Sequence, residues 1–272
     1  MPPRAARPYD LVVLVGDSLT QHGWDVAKHG WTAQLSREYV RRLDVVNRGF
    51  SGFNTRWARL ALPRVMPHYA ATKDDGDDRA PRLQLVVLFF GANDAQHAGL
   101  KCHVPLDEFK DNLRAMVDAV RSPTSELYSP DARFLLVTPP AFGEAQYMAF
   151  DDPATGRRTE LDRDNAGAKA YAEAVCETAS QLQVPCVDLW TAMEAAIAAK
   201  QAQGALSDLG GYDEFLWDGL HLNANGNDLL YRLVIGAIKA NYPDMGLDTM
   251  PFVVPDFRLF ADTDELVRIL DT

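Results

Sequence analysis

Cysteine is scarce: Cys102, Cys176 and Cys186 are the three in 272 residues. Three thiols cannot build a disulfide framework, and none of them is spaced as C-x-x-C. Basic clusters are scarce too. The 27 Lys and Arg stand against 38 Asp and Glu, for a net charge of −11, and the densest basic site is the pair Arg157-Arg158. Binding to a phosphate backbone needs a basic face, so the composition argues against nucleic acid as a partner. No apolar run approaches the ~20 residues of a membrane span. The start of the chain is polar and leads into the apolar run Leu11–Val15 with no small-residue cleavage site after it. No Asn-x-Ser/Thr sequon occurs, and neither an internal repeat nor a linker is visible. These absences lead to the expectation of a reducing, cytoplasmic compartment.

What is present is an ordinary folded composition, with 47% hydrophobic and 24% charged residues. The length suits one or two domains, and without a linker residues 1–272 read as a single domain. Five short apolar runs recur: Leu11–Val15, Val45–Val46 with its flanks, Leu85–Phe90, Phe134–Val137 and Val184–Leu189. They are rich in Val, Leu and Phe and do not alternate, which suits strands buried on both faces. Helix-like stretches lie between them at 31–42, 54–67, 106–121 and 161–182, with others near 190–202 and 224–241. This alternation predicts an α/β fold, a parallel sheet with helices on both sides. The active site of such a sheet lies beyond the carboxyl ends of its strands. Two insertions interrupt the pattern: an acidic run, Lys73–Arg79, which reads as a solvated loop, and the mixed segment Phe142–Glu160 at the functional edge. The segment 247–272 reads as an extension that covers apolar surface on this domain or on a second subunit. In the sharper version of that reading, Phe252 and its neighbours wall the functional crevice or a homodimer contact beside it.

Four segments carry chemistry. Gly16-Asp17-Ser18-Leu19-Thr20 ends the first strand run, which puts a serine at the sheet's carboxyl edge. Ser18 is a candidate nucleophile that needs a base, and either Asp17 or Ser18 equally suits a helix cap. Gly91-Ala92-Asn93-Asp94 ends the third run, where the Asn93 amide can donate to a developing oxyanion or simply form an Asx turn. Between them, Gly49-Phe50-Ser51-Gly52-Phe53-Asn54 permits tight turns and lets the Gly52 N–H approach a ligand. It matches no phosphate-loop pattern. Trp217-Asp218-Gly219-Leu220-His221 sets a carboxylate three residues before an imidazole. Asp218 can curl back to His221 Nδ1–H and leave Nε2 free to take a proton. Asp17 and Asp94 read as loop-bracing carboxylates. His97, Cys102 and His103 match no zinc spacing, so no metal is expected.

Taken together, these blocks resemble the GDSL, or SGNH, hydrolases, in the family's order and across residues 15–223. Within the family, the segments 47–56 and 251–256 are similar to isoamyl-acetate-hydrolysing esterases. The resemblance implies a flavodoxin-like three-layer α/β/α sandwich with a five-stranded parallel sheet. It implies Ser18 as nucleophile, His221 as base, Asp218 as its orienter, and Ser18 N–H, Gly52 N–H and the Asn93 amide as oxyanion donors. The expected activity is hydrolysis of small or medium carboxylic esters through an acyl-enzyme, with no cofactor. Deacetylation of a carbohydrate, or acyl transfer, is the alternative for the same residues. A flavodoxin-like binding protein with a dead site is the reading from another class, and the intact four-residue set counts against it. Among the loop aromatics, Trp24, Phe53 and Phe142 are the candidates for lining the ester pocket.

Overall fold

The computed structural model describes residues 9–66, 81–154, 156–204 and 207–270. The acidic run Lys73–Arg79 lies outside them. In chain order the main elements are β1 (Asp10–Gly16), α1 (Ser18–Gln21), α2 (Trp31–Glu38), β2 (Leu43–Gly49) and α3 (Thr55–Val65). Then come β3 (Leu83–Phe89), α4 (Leu106–Arg121), β4 (Arg133–Val137), α5 (Glu144–Ala149) and the hairpin β5 (Asp151–Asp152) and β6 (Gly156–Arg157). The rest are α6 (Asn165–Leu182), β7 (Cys186–Val187), α7 (Leu189–Ala202), α8 (Ala224–Asn241) and α9 (Thr263–Leu270).

β1, β2, β3, β4 and β7 form one parallel sheet in the order β2-β1-β3-β4-β7. This is the flavodoxin-like order, in which strands are added first on one side of β1 and then on the other, and the switch between β1 and β3 opens a crevice at their carboxyl ends. The alternating faces of each strand feed two cores. Val12, Leu14, Val87 and Leu135 pack with α2, α7 and α8. Val13, Val86, Leu88 and Phe134 pack on the other face with α3, α4 and α6. Both faces of the central strands are therefore apolar, which explains the runs without alternation.

Departures from the expected elements have local causes. β7 keeps two residues of the expected 184–189, because Pro185 has no N–H to give and Asp188 already N-caps α7 through Thr191 N–H at 3.0 Å. α6 starts at Asn165 rather than 161, where Asp164 accepts the N–H of Gly167. Gln183 then ends α6 in the left-handed conformation and turns the chain back on itself. That reversal brings Cys176 and Cys186 together as a disulfide across Cα atoms 5.5 Å apart. The sequence does not predict this pair, and it removes cysteine usage as an argument for a reducing compartment. Among the described residues no helix is long and apolar enough to cross a membrane.

The C-terminal extension packs at the amino end of β2. Arg41 Nη2 donates to the carbonyls of Val254 and Pro255 (3.0 and 2.9 Å), and Arg42 donates to those of Met250 and Leu247 (2.9 and 3.1 Å). Both guanidinium groups lie 4.3 Å from the Phe252 ring. Phe252 is thus at the opposite end of the sheet from Ser18 and does not wall the crevice.

At the carboxyl ends, two buried carboxylates brace the loops. Asp17 Oδ1 caps α1 by accepting Leu19 N–H at 2.9 Å. Asp94 Oδ1 accepts both the N–H (2.9 Å) and the hydroxyl of Thr55, tying the loop after β3 to the first turn of α3. Burial pushes Asp17 up to about 7 and Asp94 up to about 6. Between about pH 4 and 7 the folded chain therefore holds a proton at Asp17 that the unfolded chain releases. Stability contributed by that protonated carboxyl is lost as pH rises through this window. Asp17→Asn keeps an acceptor for Leu19 N–H and removes the linkage. Its melting temperature relative to wild type is expected to climb from about pH 4 and level off above about pH 7; a difference that does not vary with pH would contradict the raised carboxyl.

Candidate active site

Ser18 is the first residue of α1, two residues past the end of β1, and α1 is pinned by its Asp17 cap. The sequence predicts an exposed serine there. In the structure Ser18 is only 5% exposed, because the loop that carries His221 folds over it. Ser18 Oγ lies 2.9 Å from His221 Nε2, and His221 Nδ1 lies 2.7 Å from Asp218 Oδ2. The other Asp218 oxygen accepts the backbone N–H groups of Leu220 and His221 at 2.9 and 2.7 Å. Asp218 therefore shapes the turn with one oxygen and orients the imidazole with the other. Burial raises its carboxyl, but the hydrogen bond and charge of His221 outweigh that and hold it below the ordinary range. Gly219 makes the turn possible. Its φ is +86°, and a Cβ there would stand 2.5 Å from Gly143 O and Tyr147 N.

The loops after β2 and β3 close on the same point. Phe50 N–H donates to Gly16 O at 2.9 Å, and Ser51 N–H to the Gln21 side chain at 2.9 Å, so the turn holding Gly52 is laced to α1. Gly52 has φ +79°, a conformation open to glycine and strained for other residues. Asn93, 7% exposed, uses one Nδ2 hydrogen on the Phe53 carbonyl at 2.9 Å, which fixes the amide and leaves its second hydrogen available. The five residues singled out by the sequence, Ser18, Gly52, Asn93, Asp218 and His221, are thus gathered at one end of the sheet. A hydroxyl, an imidazole and a carboxylate in series, beside amide donors, can move a proton off oxygen and stabilise a negative oxygen nearby.

The aromatic candidates divide. Phe53 flanks the site through its carbonyl, while its ring packs 5.3 Å from Phe50 and 6.0 Å from Trp57. Phe142 is 2% exposed and packs edge-on against Tyr147, so it is a core residue rather than a pocket wall. Trp24 lies along the outer edge of β2, in a groove of about 510 Å³ shared with Val40, Val45 and Asn47. Neither placement is visible from composition, since a loop aromatic is packed or open according to what folds over it. His97, Cys102 and His103 find separate partners: Asp164 Oδ2 at 3.2 Å, the Gly52 carbonyl at 3.7 Å and the Gln96 carbonyl at 2.6 Å.

Three residues escape a reading of the sequence. Arg163 is 5% exposed, pairs with Asp162 and donates to Ala92 O at 2.6 Å, bracing the loop that carries Asn93. A buried arginine is rare enough to mark a structural role, but burial cannot be read from its neighbours in sequence. Trp217 stacks on His221, and His22 meets the same ring edge-on. The spacing of His22 four residues after Ser18 is the available signal, since one helical turn brings such residues to one face.

The GDSL-like lipase/acylhydrolase family model matches residues 14–229. An isoamyl acetate-hydrolyzing esterase 1 homolog of Bos taurus is 35% identical over 261 residues, covering 95% of this chain and 91% of that protein. A GDSL esterase/lipase of Arabidopsis thaliana is 36% identical over 258 residues, 93% of each. Among solved structures, the lipase/acylhydrolase from Enterococcus faecalis superposes with a TM-score of 0.55 at 22% identity, covering 85% of this chain and 96% of that one. An acetylxylan esterase from Geobacillus stearothermophilus, a catalytic mutant, gives 0.55 at 19% identity over 84% and 94%. The two structures share the fold, and the family match extends over every block that forms the site. The chain belongs to the GDSL-like lipase/acylhydrolase family and is a carboxylic ester hydrolase.

Proposed function

We propose that this chain hydrolyses small or medium carboxylic esters of the acetate type through an acyl-enzyme formed on Ser18. The observation that carries the reading is the continuous hydrogen-bonded series Ser18 Oγ, His221, Asp218. Ser18 Oγ attacks the ester carbonyl while its proton passes to His221 Nε2. Asp218 keeps the Nδ1–H tautomer and stabilises the imidazolium that forms. The carbonyl oxygen becomes negative and is received by Ser18 N–H, Gly52 N–H and the free Asn93 amide hydrogen. As the tetrahedral species collapses, His221 returns the proton to the departing alcohol. It then takes a proton from water, which attacks the acyl-Ser18 carbon; as the acyl–oxygen bond to Ser18 breaks, His221 gives that proton to Ser18 Oγ and the acid is released. The preference for short acetate esters is carried over from the relatives named for isoamyl acetate.

A fluorophosphonate probe is expected to label Ser18, and Ser18→Ala should lose both labelling and hydrolysis of a short-chain aryl acetate. An adduct mapped by mass spectrometry to another serine would overturn the assignment. Esters varied separately in acyl and alcohol length, with acetylated sugars among them, should be cleaved fastest when the acyl group is acetyl and the alcohol short.

Asn93→Ala should lower kcat by roughly 10²–10³ with little change in KM, because its amide acts when the oxygen is charged. A change confined to KM would make Asn93 a residue of ground-state binding.

His221→Ala should lower hydrolysis about as severely as Ser18→Ala, because the Ser18 proton then loses its acceptor at 2.9 Å. Hydrolysis that survives the substitution would take His221 out of that role.

A further inference from the structure

A row of aromatic rings crosses the mouth of the site. Phe150, at the end of α5, meets Trp217 edge-on at 5.2 Å between centroids. Trp217 lies nearly parallel to His221, 19° between planes at 5.5 Å, and His22 meets His221 from another side at 88° and 5.6 Å. With Ser18 at Nε2 and Asp218 at Nδ1, the imidazole is held on its ring face as well as at both nitrogens. Trp217 also carries a second cation. The Lys28 ammonium stands 4.3 Å from its ring centroid and makes an exposed 3.8 Å contact to the Asp25 carboxylate.

We propose that Trp217 is a positioning residue for His221, holding the imidazole by its face and stabilising the cation formed as Ser18 reacts, and that Lys28 on the same indole offsets part of that stabilisation. The inference rests on the reading of His221 as the base. An indole face attracts a positive charge, and stacking fixes ring orientation at little entropic cost because Trp has two side-chain torsions. During turnover His221 is a cation only transiently, whereas Lys28 is one throughout. The charged groups coupled to the imidazole are Asp218 on its own loop, Asp17 at the start of α1 and His22 at its end; Lys28 and Asp25 lie one turn further on, where both act on His22 and Lys28 stands over Trp217. Asp218 and Asp17, when ionised, favour the imidazolium. Lys28 opposes it, as does His22 when protonated. Burial and then the neighbouring charges of His221 and Lys28 push the His22 imidazole below the ordinary histidine range. The Trp217 main chain donates to His221 O at 2.9 Å whatever the side chain, so substitution of the indole leaves the turn its own bond.

The test is the pH dependence of kcat/KM for a short-chain aryl acetate in Trp217→Leu, Trp217→Phe and Lys28→Met, with melting temperatures alongside. Trp217→Leu should lower kcat/KM about tenfold and move the midpoint of the acid limb down by about half a pH unit. Trp217→Phe keeps a ring face and should recover most of both effects. Lys28→Met should move the midpoint the other way, up by about 0.3 unit at low ionic strength, and salt should erase the difference. The proposal is overturned if Trp217→Leu keeps wild-type kcat/KM and midpoint, or if Lys28→Met leaves the midpoint unmoved or shifts it down. The Lys28 arm decides the matter even where Trp217→Leu does not fold. A Ser18→Ala enzyme that still turns over would instead remove the underlying assignment, whereas a dead Ser18→Ala enzyme beside an unaffected Trp217→Leu removes this inference alone.

Discussion

The hydrogen bond between Ser18 Oγ and His221 Nε2 joins residues 203 apart in the chain, and the arrangement of the rest serves it. Neither partner is useful alone. A serine hydroxyl is a weak nucleophile at neutral pH, and a histidine in a turn has no preferred proton to take. Their meeting depends on β1 delivering Ser18 to the carboxyl edge of the sheet and on the turn before α8 returning to that edge. Trp31, fully buried beneath the site, ties these segments: its indole N–H donates to Leu19 O at 3.1 Å, and its backbone N–H to the Asn227 side chain at 3.2 Å. α1 and α8 are thereby held to one buried residue of α2.

Three carboxylates near the site have different fates, and their partners decide which. Asp218 faces an imidazole and two backbone N–H groups, which hold it ionised despite burial. For Asp17 and Asp94 burial outweighs the hydrogen bonds they accept and, at Asp17, the charges of His221 and Arg163 as well. Asp218 thus orients the His221 imidazole, while Asp17 and Asp94 set the loops in place and make stability depend on pH. Placing two raised carboxylates beside a reacting centre opposes folding above neutral pH, as is common for strained or polar functional sites. The extension after α8 acts at the other end of the sheet, where Arg41 and Arg42 grip its carbonyls and the Phe252 ring. It covers the start of edge strand β2, at the end of the sheet opposite Ser18.

The amino-acid sequence by itself determined the strands and the polar residues of the site, because those signals are local. Runs of four to six apolar residues flanked by helices are buried on both faces, and Leu11–Val15, Leu85–Phe90 and Phe134–Val137 fall within one or two residues of β1, β3 and β4. Asp218 and His221 were legible together because an i to i+3 turn joins them without help from the rest of the chain.

What only the tertiary structure decided is which side chains are covered, since coverage depends on segments far away in sequence. Phe142 went into the core and Trp24 to the edge of β2, although both are aromatics in loops. Cys176 and Cys186 met because α6 ends in a left-handed residue and reverses the chain, which no cysteine spacing announces. Arg163 became a buried brace, and Trp217 and His22 closed on His221 from two sides. Local chemistry chose the polar groups of the candidate site; packing between distant segments chose the walls around them.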